Sequence, residues 1–180
     1  MRINVEDTLF CLVDVQEKLY PHVNNKDEVE NNLITLVKGL IVHDVPFIVN
    51  EQYKKGLGDT LPSIRELVDT YPHFEKVTFS CCKNESTMDA IKATNKKIVI
   101  VAGIETHVCV LQTCIDLLEA GLQPVLVTDC VTSRKQKDTD VAIQRLIQAG
   151  VIPTTYESLL FELTLSAKNP VFKQISSLVK

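Results

Sequence analysis

The sequence predicts an α/β fold with a doubly wound, six-stranded parallel sheet of order 3-2-1-4-5-6 between two helical layers, and three observations lead there. Short runs rich in Val and Ile, of which Ile98 to Ala102 is the clearest, show no alternation with polar residues, as in strands covered on both faces. Segments with apolar residues at helical spacing lie between those runs, so strands and helices alternate along the chain. With 180 residues and 45% hydrophobic content, residues 1–180 are expected to form one domain with a full core.

In order, Thr8 to Gln16 form the first strand, apolar until Asp14. Asp27 to Val42 form a helix with Val29, Leu33, Leu36, Val37 and Leu40 on one stripe. Pro46 to Asn50 are the second strand, followed by a polar loop from Glu51 to Gly58 and a short helix from Pro62 to Val68. His73 to Ser80 read as a third strand entering a loop, with Lys76 near its end, and Ser86 to Thr94 as a helix. The fourth strand is Ile98 to Ala102. Past Gly103 the period changes, Val108, Leu111, Ile115 and Leu118 fall on one helical face, and Gly121 supplies the left-handed cap. Gln123 to Thr128 form the fifth strand, Ser133 to Thr139 a polar loop, Val141 to Ala149 a helix stopped by Gly150, and Val151 to Thr155 the sixth strand. Ser158 to Leu165 and Val171 to Val179 are closing helices.

A net charge of −4 and a pI near 5.6 leave no basic footprint for nucleic acid, and no apolar run approaches a membrane span. The start is neither a signal peptide nor a transit peptide, so a cytoplasmic location is expected. The six cysteines include no C-x-x-C pair, which fits neither a zinc site nor a disulfide framework. At least four of them are read as packing residues. The Glu51–Gly58 loop does not match a dinucleotide fingerprint or a P-loop, so no nucleotide is expected.

The chemistry begins at Cys109. With Thr106 as N-cap, Cys109 falls in the first helical turn among N–H groups without an intrahelical partner. Those donors and the helix dipole favour a thiolate, and they can hold an oxyanion. The competing role for Cys109 is a small buried hydrophobe. Asp14, taken alone, is a helix cap, and Lys76, taken alone, is a solvated charge. The strand order changes the weighing for Asp14. At the switch point strands one and four are neighbours, so Asp14 and Cys109 flank one crevice and Asp14 becomes a candidate general base.

The chain resembles the isochorismatase-like cysteine hydrolases, most closely the small isochorismatase-domain proteins. The resemblance is carried by Leu12–Gln16, Asn50–Gly58, Glu75–Ser80 and Gly103–Thr113, with Ser133–Asp138 and Thr154–Ser158 in support, and it runs from about residue 8 onward. It implies a catalytic triad of Asp14, Lys76 and Cys109, a six-stranded parallel sheet, and a cis peptide before Glu105. Substrate-lining residues expected around the triad are Gln16, Gln52, Tyr53, Phe79, Ile104, Glu105 and Thr106. Metal-binding relatives carry an Asp-x-His motif after the second strand, where this chain has Glu51, Gln52 and Tyr53, so neither metal nor cofactor is expected. Members that cleave isochorismate often lack the cysteine. Its presence favours a thiol-dependent hydrolase acting on a small amide or related C–N bond.

Three rivals stand beside that reading. A Cys109–His107 dyad is disfavoured, because two residues along a helix is about 200° of rotation. A non-catalytic oligomeric module would account for a helix after Cys109 whose only charges are Asp116 and Glu119. A redox sensor would pair Cys109 with Cys114 or with Cys81 and Cys82. A small-molecule substrate and a homo-oligomer are the expected partners.

Overall fold

The computed structural model describes all residues from Met1 to Lys180. Six strands, β1 (Thr8–Val13), β2 (Phe47–Gln52), β3 (His73–Lys76), β4 (Ile98–Ile104), β5 (Gln123–Thr132) and β6 (Ile152–Thr154), form one parallel sheet of order β3-β2-β1-β4-β5-β6. This is the expected order. The helices are α1 (Lys26–Val42), α2 (Lys54–Leu57), α3 (Pro62–Val68), α4 (Glu85–Ala93), α5 (Leu111–Glu119), α6 (Gln136–Ala149), α7 (Tyr156–Thr164) and α8 (Phe172–Leu178).

Both faces of the sheet are covered, which explains why the central strands are apolar throughout in β4 and after Thr8 in β1. Phe10 and Leu12 of β1 point into a core shared with α1, α3, α7 and α8, where Leu33, Leu36, Ile64, Leu160 and Ile175 are buried. Leu9, Cys11 and Val13 point the other way, into a core with Ile91 of α4, Cys114 and Leu117 of α5 and Leu146 of α6.

Several element ends differ from expectation, and most lie near the crevice. β1 stops at Val13, because Asp14 takes a left-handed conformation with φ 53°. β2 runs on through Glu51 and Gln52, and the polar loop expected from Glu51 folds instead into the short α2. Its polarity is satisfied internally: buried Glu51 accepts hydrogen bonds from Thr60 N at 2.8 Å, Thr60 Oγ1 at 2.9 Å and Lys54 Nζ at 2.9 Å. β3 ends at Lys76, as expected, and the chain then enters the loop toward Ser80. β5 passes Thr128 and Asp129 through a bulge and continues to Thr132, because Asp129 turns its Oδ1 to the Tyr156 N–H at 3.0 Å. The loop expected from Ser133 to Thr139 is short, since α6 begins at Gln136.

The segment after β4 departs most. Thr106 is not an N-cap. It is the first residue of a π turn, Thr106–Val110, that precedes α5 and has no side-chain cap.

Candidate active site

Lys76 ends the edge strand β3, and its side chain lies wholly buried beneath the mouth of the sheet. Its Nζ donates to Asp14 Oδ2 at 2.7 Å, Gln52 Oε1 at 2.7 Å, Phe79 O at 3.0 Å and Thr78 O at 3.2 Å. An ammonium out of water needs such a cage, because an unpaired buried charge is very costly. Burial pulls the Lys76 pKa down, but nearby negative charge, first that of the Asp14 carboxylate, more than offsets that, and the group stays charged.

Asp14 also has no solvent exposure. Its Oδ2 faces Lys76, whereas Oδ1 is sealed from solvent without a well-formed hydrogen bond. Cys109 is the polar group beside it, close enough for each to influence the other's titration. Burial raises the Asp14 pKa, with Lys76 and the Cys109 thiol opposing incompletely. A carboxylate raised in this way is a stronger base than one in water.

Cys109 is 6% exposed, on the π turn between β4 and α5. Burial raises its pKa, the nearby Asp14 charge adds to the rise, and Lys76 only partly opposes it. These effects act against the thiolate that the helix end favours.

β1 and β4 approach closely directly below this group. Gly103 pairs with Val13 at φ 127°, and a Cβ there would lie 2.0 Å from the Val13 carbonyl oxygen. Glycine is required for β4 to deliver the following turn to Asp14. The Ile104–Glu105 peptide bond is cis.

The remaining expected site residues divide. Gln16 is buried, and its amide is committed: Nε2 donates to Gln52 O and Gly58 O, and Oε1 accepts from Gln52 N at 2.7 Å. It braces the ends of β1 and β2 and has no hydrogen left for a ligand. Gln52 donates to Val77 O and accepts from Lys76, so it too holds the cage. Ile104 is fully buried, and Glu105 binds Arg134. Thr106 is buried with an unpaired hydroxyl. Tyr53 and Phe79 are 51% and 53% exposed, in the segments just after β2 and β3, where they can meet a ligand. His107 turns to Ser133, its Nδ1 lying 2.9 Å from Ser133 Oγ, with Asp138 3.9 Å from Nε2.

The largest surface cavity, about 490 Å³, is lined by Glu17, Thr60, Pro62, Arg65, Glu66 and Asp69 and includes none of the three central residues. Apart from Pro62 its lining is polar or charged, unlike most small-molecule sites. The contributions of Gln52 to Lys76 and of Arg134 to Glu105 were not legible from the sequence. Both residues lie in segments that carry the family resemblance, and that is the only signal for them.

A doubly wound α/β sheet with an acid, an ammonium and a thiol at its switch point defines a hydrolase-type scaffold. The family of that scaffold follows from comparison with known proteins: the Isochorismatase domain model matches residues 8–158, and the chain belongs to that family of hydrolases. It is 36% identical over 179 residues to isochorismatase domain-containing protein 2 of Danio rerio, covering 99% of this chain and 89% of the relative. It is 34% identical to isochorismatase domain-containing protein 1 of Salmo salar, of which it spans 61%. Among solved structures, the MAR1 ribonuclease of Caenorhabditis elegans superposes with a TM-score of 0.94 at 38% identity, over 99% of this chain and 92% of that one. The YcaC hydrolase of Escherichia coli, an octamer of unknown specificity, has a TM-score of 0.94 at 26% identity, over 99% and 89%.

Proposed function

We propose that this chain is a cysteine hydrolase that cleaves a small amide or related C–N bond through a thioester on Cys109. The observation that carries the proposal is the unpaired, buried Asp14 Oδ1 beside the Cys109 thiol, with Lys76 fixed on the other carboxylate oxygen. Asp14 takes the thiol proton as sulfur attacks the carbonyl, and the N–H groups of the turn hold the oxyanion. Asp14 then gives the proton to the leaving amine; water, deprotonated by the same carboxylate, attacks the thioester, the C–S bond breaks to release the acid, and Asp14 returns the proton to the Cys109 sulfur. Lys76 stays an ammonium throughout and holds Asp14 in place. Tyr53, Phe79 and Thr106 are the substrate-facing residues of this reading.

The redox-sensor and scaffold readings fit the site less well. Sensor cysteines are exposed and of low pKa, whereas Cys109 is buried with a raised pKa. A scaffold has no use for a buried lysine–aspartate pair, which is costly to desolvate. RNA cleavage, the activity named for the C. elegans relative, is less well supported by a chain of net charge −4. We also propose a homo-oligomer, as for E. coli YcaC, with the exposed Tyr53, Val77 and Phe79 near the contact.

The experiment is a hydrolysis screen of small amides and carbamoyl compounds, with a single-stranded RNA included. Turnover of an amide that is abolished in Cys109→Ala is the expected result. RNA cleavage that survives Cys109→Ala would replace this reading with a different one.

A further inference from the structure

We infer that Arg134, assisted by Ser133, is a positioning residue for the proposed reaction, fixing the turn that carries Cys109 without touching the substrate. This rests on the hydrolase reading for its kinetic consequence, but its structural part stands alone.

The turn needs outside support. Thr106–Val110 is a five-residue π turn with no side-chain cap at its start, so its own hydrogen bonds do little to fix its orientation. Its anchor is Glu105. The Glu105 carbonyl oxygen accepts the Val108 N–H at 3.1 Å and the Val110 N–H at 3.3 Å, the residues on either side of Cys109. The Glu105 carboxylate is in turn gripped from one segment: Oε1 accepts the Arg134 backbone N–H at 3.1 Å and its Nε–H at 2.9 Å. A single residue therefore joins Arg134 to both neighbours of the nucleophile.

A second hold lies beside the first. Ser133, wholly buried, places its Oγ 2.9 Å from His107 Nδ1, and its carbonyl oxygen accepts the Asn24 N–H at 2.9 Å. The bulge in β5 makes this reach possible. It lets the strand continue until Thr132 pairs with Ile104, so Ser133 and Arg134 emerge level with Glu105. Arg134 itself has a side chain 60% exposed, whereas that of Glu105 is 9% exposed. An ion pair half in water adds little to global stability, yet here it orients a buried acid. Displacing a nucleophile by about 1 Å can slow a reaction on the order of 100-fold.

The test compares Arg134→Ala and Arg134→Lys in the full chain. Hydrogen exchange is read on the peptide covering Thr106–Val110, together with kcat, KM and the thermal midpoint. In Arg134→Ala, exchange in the turn is expected to rise about 10-fold, and kcat to fall roughly 10- to 100-fold with KM within about twofold. The thermal midpoint is expected to stay unchanged, and Arg134→Lys to recover much of both losses. Exchange in the turn equal to wild type would overturn the inference. So would a loosened turn with unchanged kcat, or a fall in kcat matched by a fall in the midpoint. If the wild-type chain hydrolyses nothing, the hydrolase reading fails, and the exchange result alone decides the clamp.

Discussion

Asp14 is the residue in which local sequence and three-dimensional role diverge most. Read along the chain it caps a segment, and only the neighbouring positions of β1 and β4 turn it toward Cys109. Its raised pKa sets a measurable consequence. As general base it must be ionised, so kcat/KM is expected to fall as pH drops through an acid limb above the ordinary Asp value of about 3.9. Lys76 is the main group opposing that rise, so Lys76→Met is expected to move the limb to still higher pH. A limb that stays put in Lys76→Met would contradict the assigned pairing. The folded carboxyl holds its proton more tightly than the unfolded one, so this group's stabilising contribution is greatest at low pH and is lost as pH rises through its folded pKa. Asp14→Asn is expected to cost about 10²- to 10⁴-fold in kcat, read by steady-state kinetics, and to lower denaturant stability, because it leaves the buried Lys76 ammonium without its counter-charge. For Cys109, burial acts against the thiolate that the spacing of the turn favours. Helix-end electrostatics are visible in spacing, whereas the burial that opposes them depends on residues such as Val13 and Cys81 from other elements.

The elements were largely legible, and their ends were not. Continuous apolar runs identified β1, β2, β4 and β5, because a strand covered on both faces has no polar side to obscure it. Thr128 and Asp129 looked like a stop, and nothing local signals that Tyr156 supplies a partner allowing the strand to continue. Likewise, Glu51 and Gln52 looked like loop because their partners, Thr60, Gln16 and Lys76, are distant in sequence. The junction of β1 and β4 gives a sharp test at this scale. Gly103→Ala places a methyl group against the Val13 carbonyl oxygen at an unfavourable φ, and is expected to cost about 2–5 kcal/mol in denaturant unfolding. Gly121→Ala, also at positive φ but with nothing within 4 Å of the added carbon, is expected to cost less. Equal losses at the two positions would show that the close approach is unimportant.

At the scale of the molecule, the strand order brings together side chains from the residue after β1, the end of β3 and the turn after β4, and the proposed chemistry depends on that order. The order was legible because alternating strands and helices leave few topologies open. The edge position of β3, with Val77 at 77% exposure just beyond it, is where the proposed oligomer is tested. Sedimentation velocity is expected to show an assembly larger than 20.2 kDa, and Val77→Glu with Phe79→Glu to shift it toward the monomer. A monomeric wild-type chain would remove the oligomer from the account. The most direct test of the whole account is mass spectrometry of the protein quenched during turnover of an amide substrate. An acyl adduct is expected on the peptide containing Cys109, accumulating at early times and absent from Cys109→Ala. Full turnover by Cys109→Ala, with no adduct on the wild-type peptide, would contradict it.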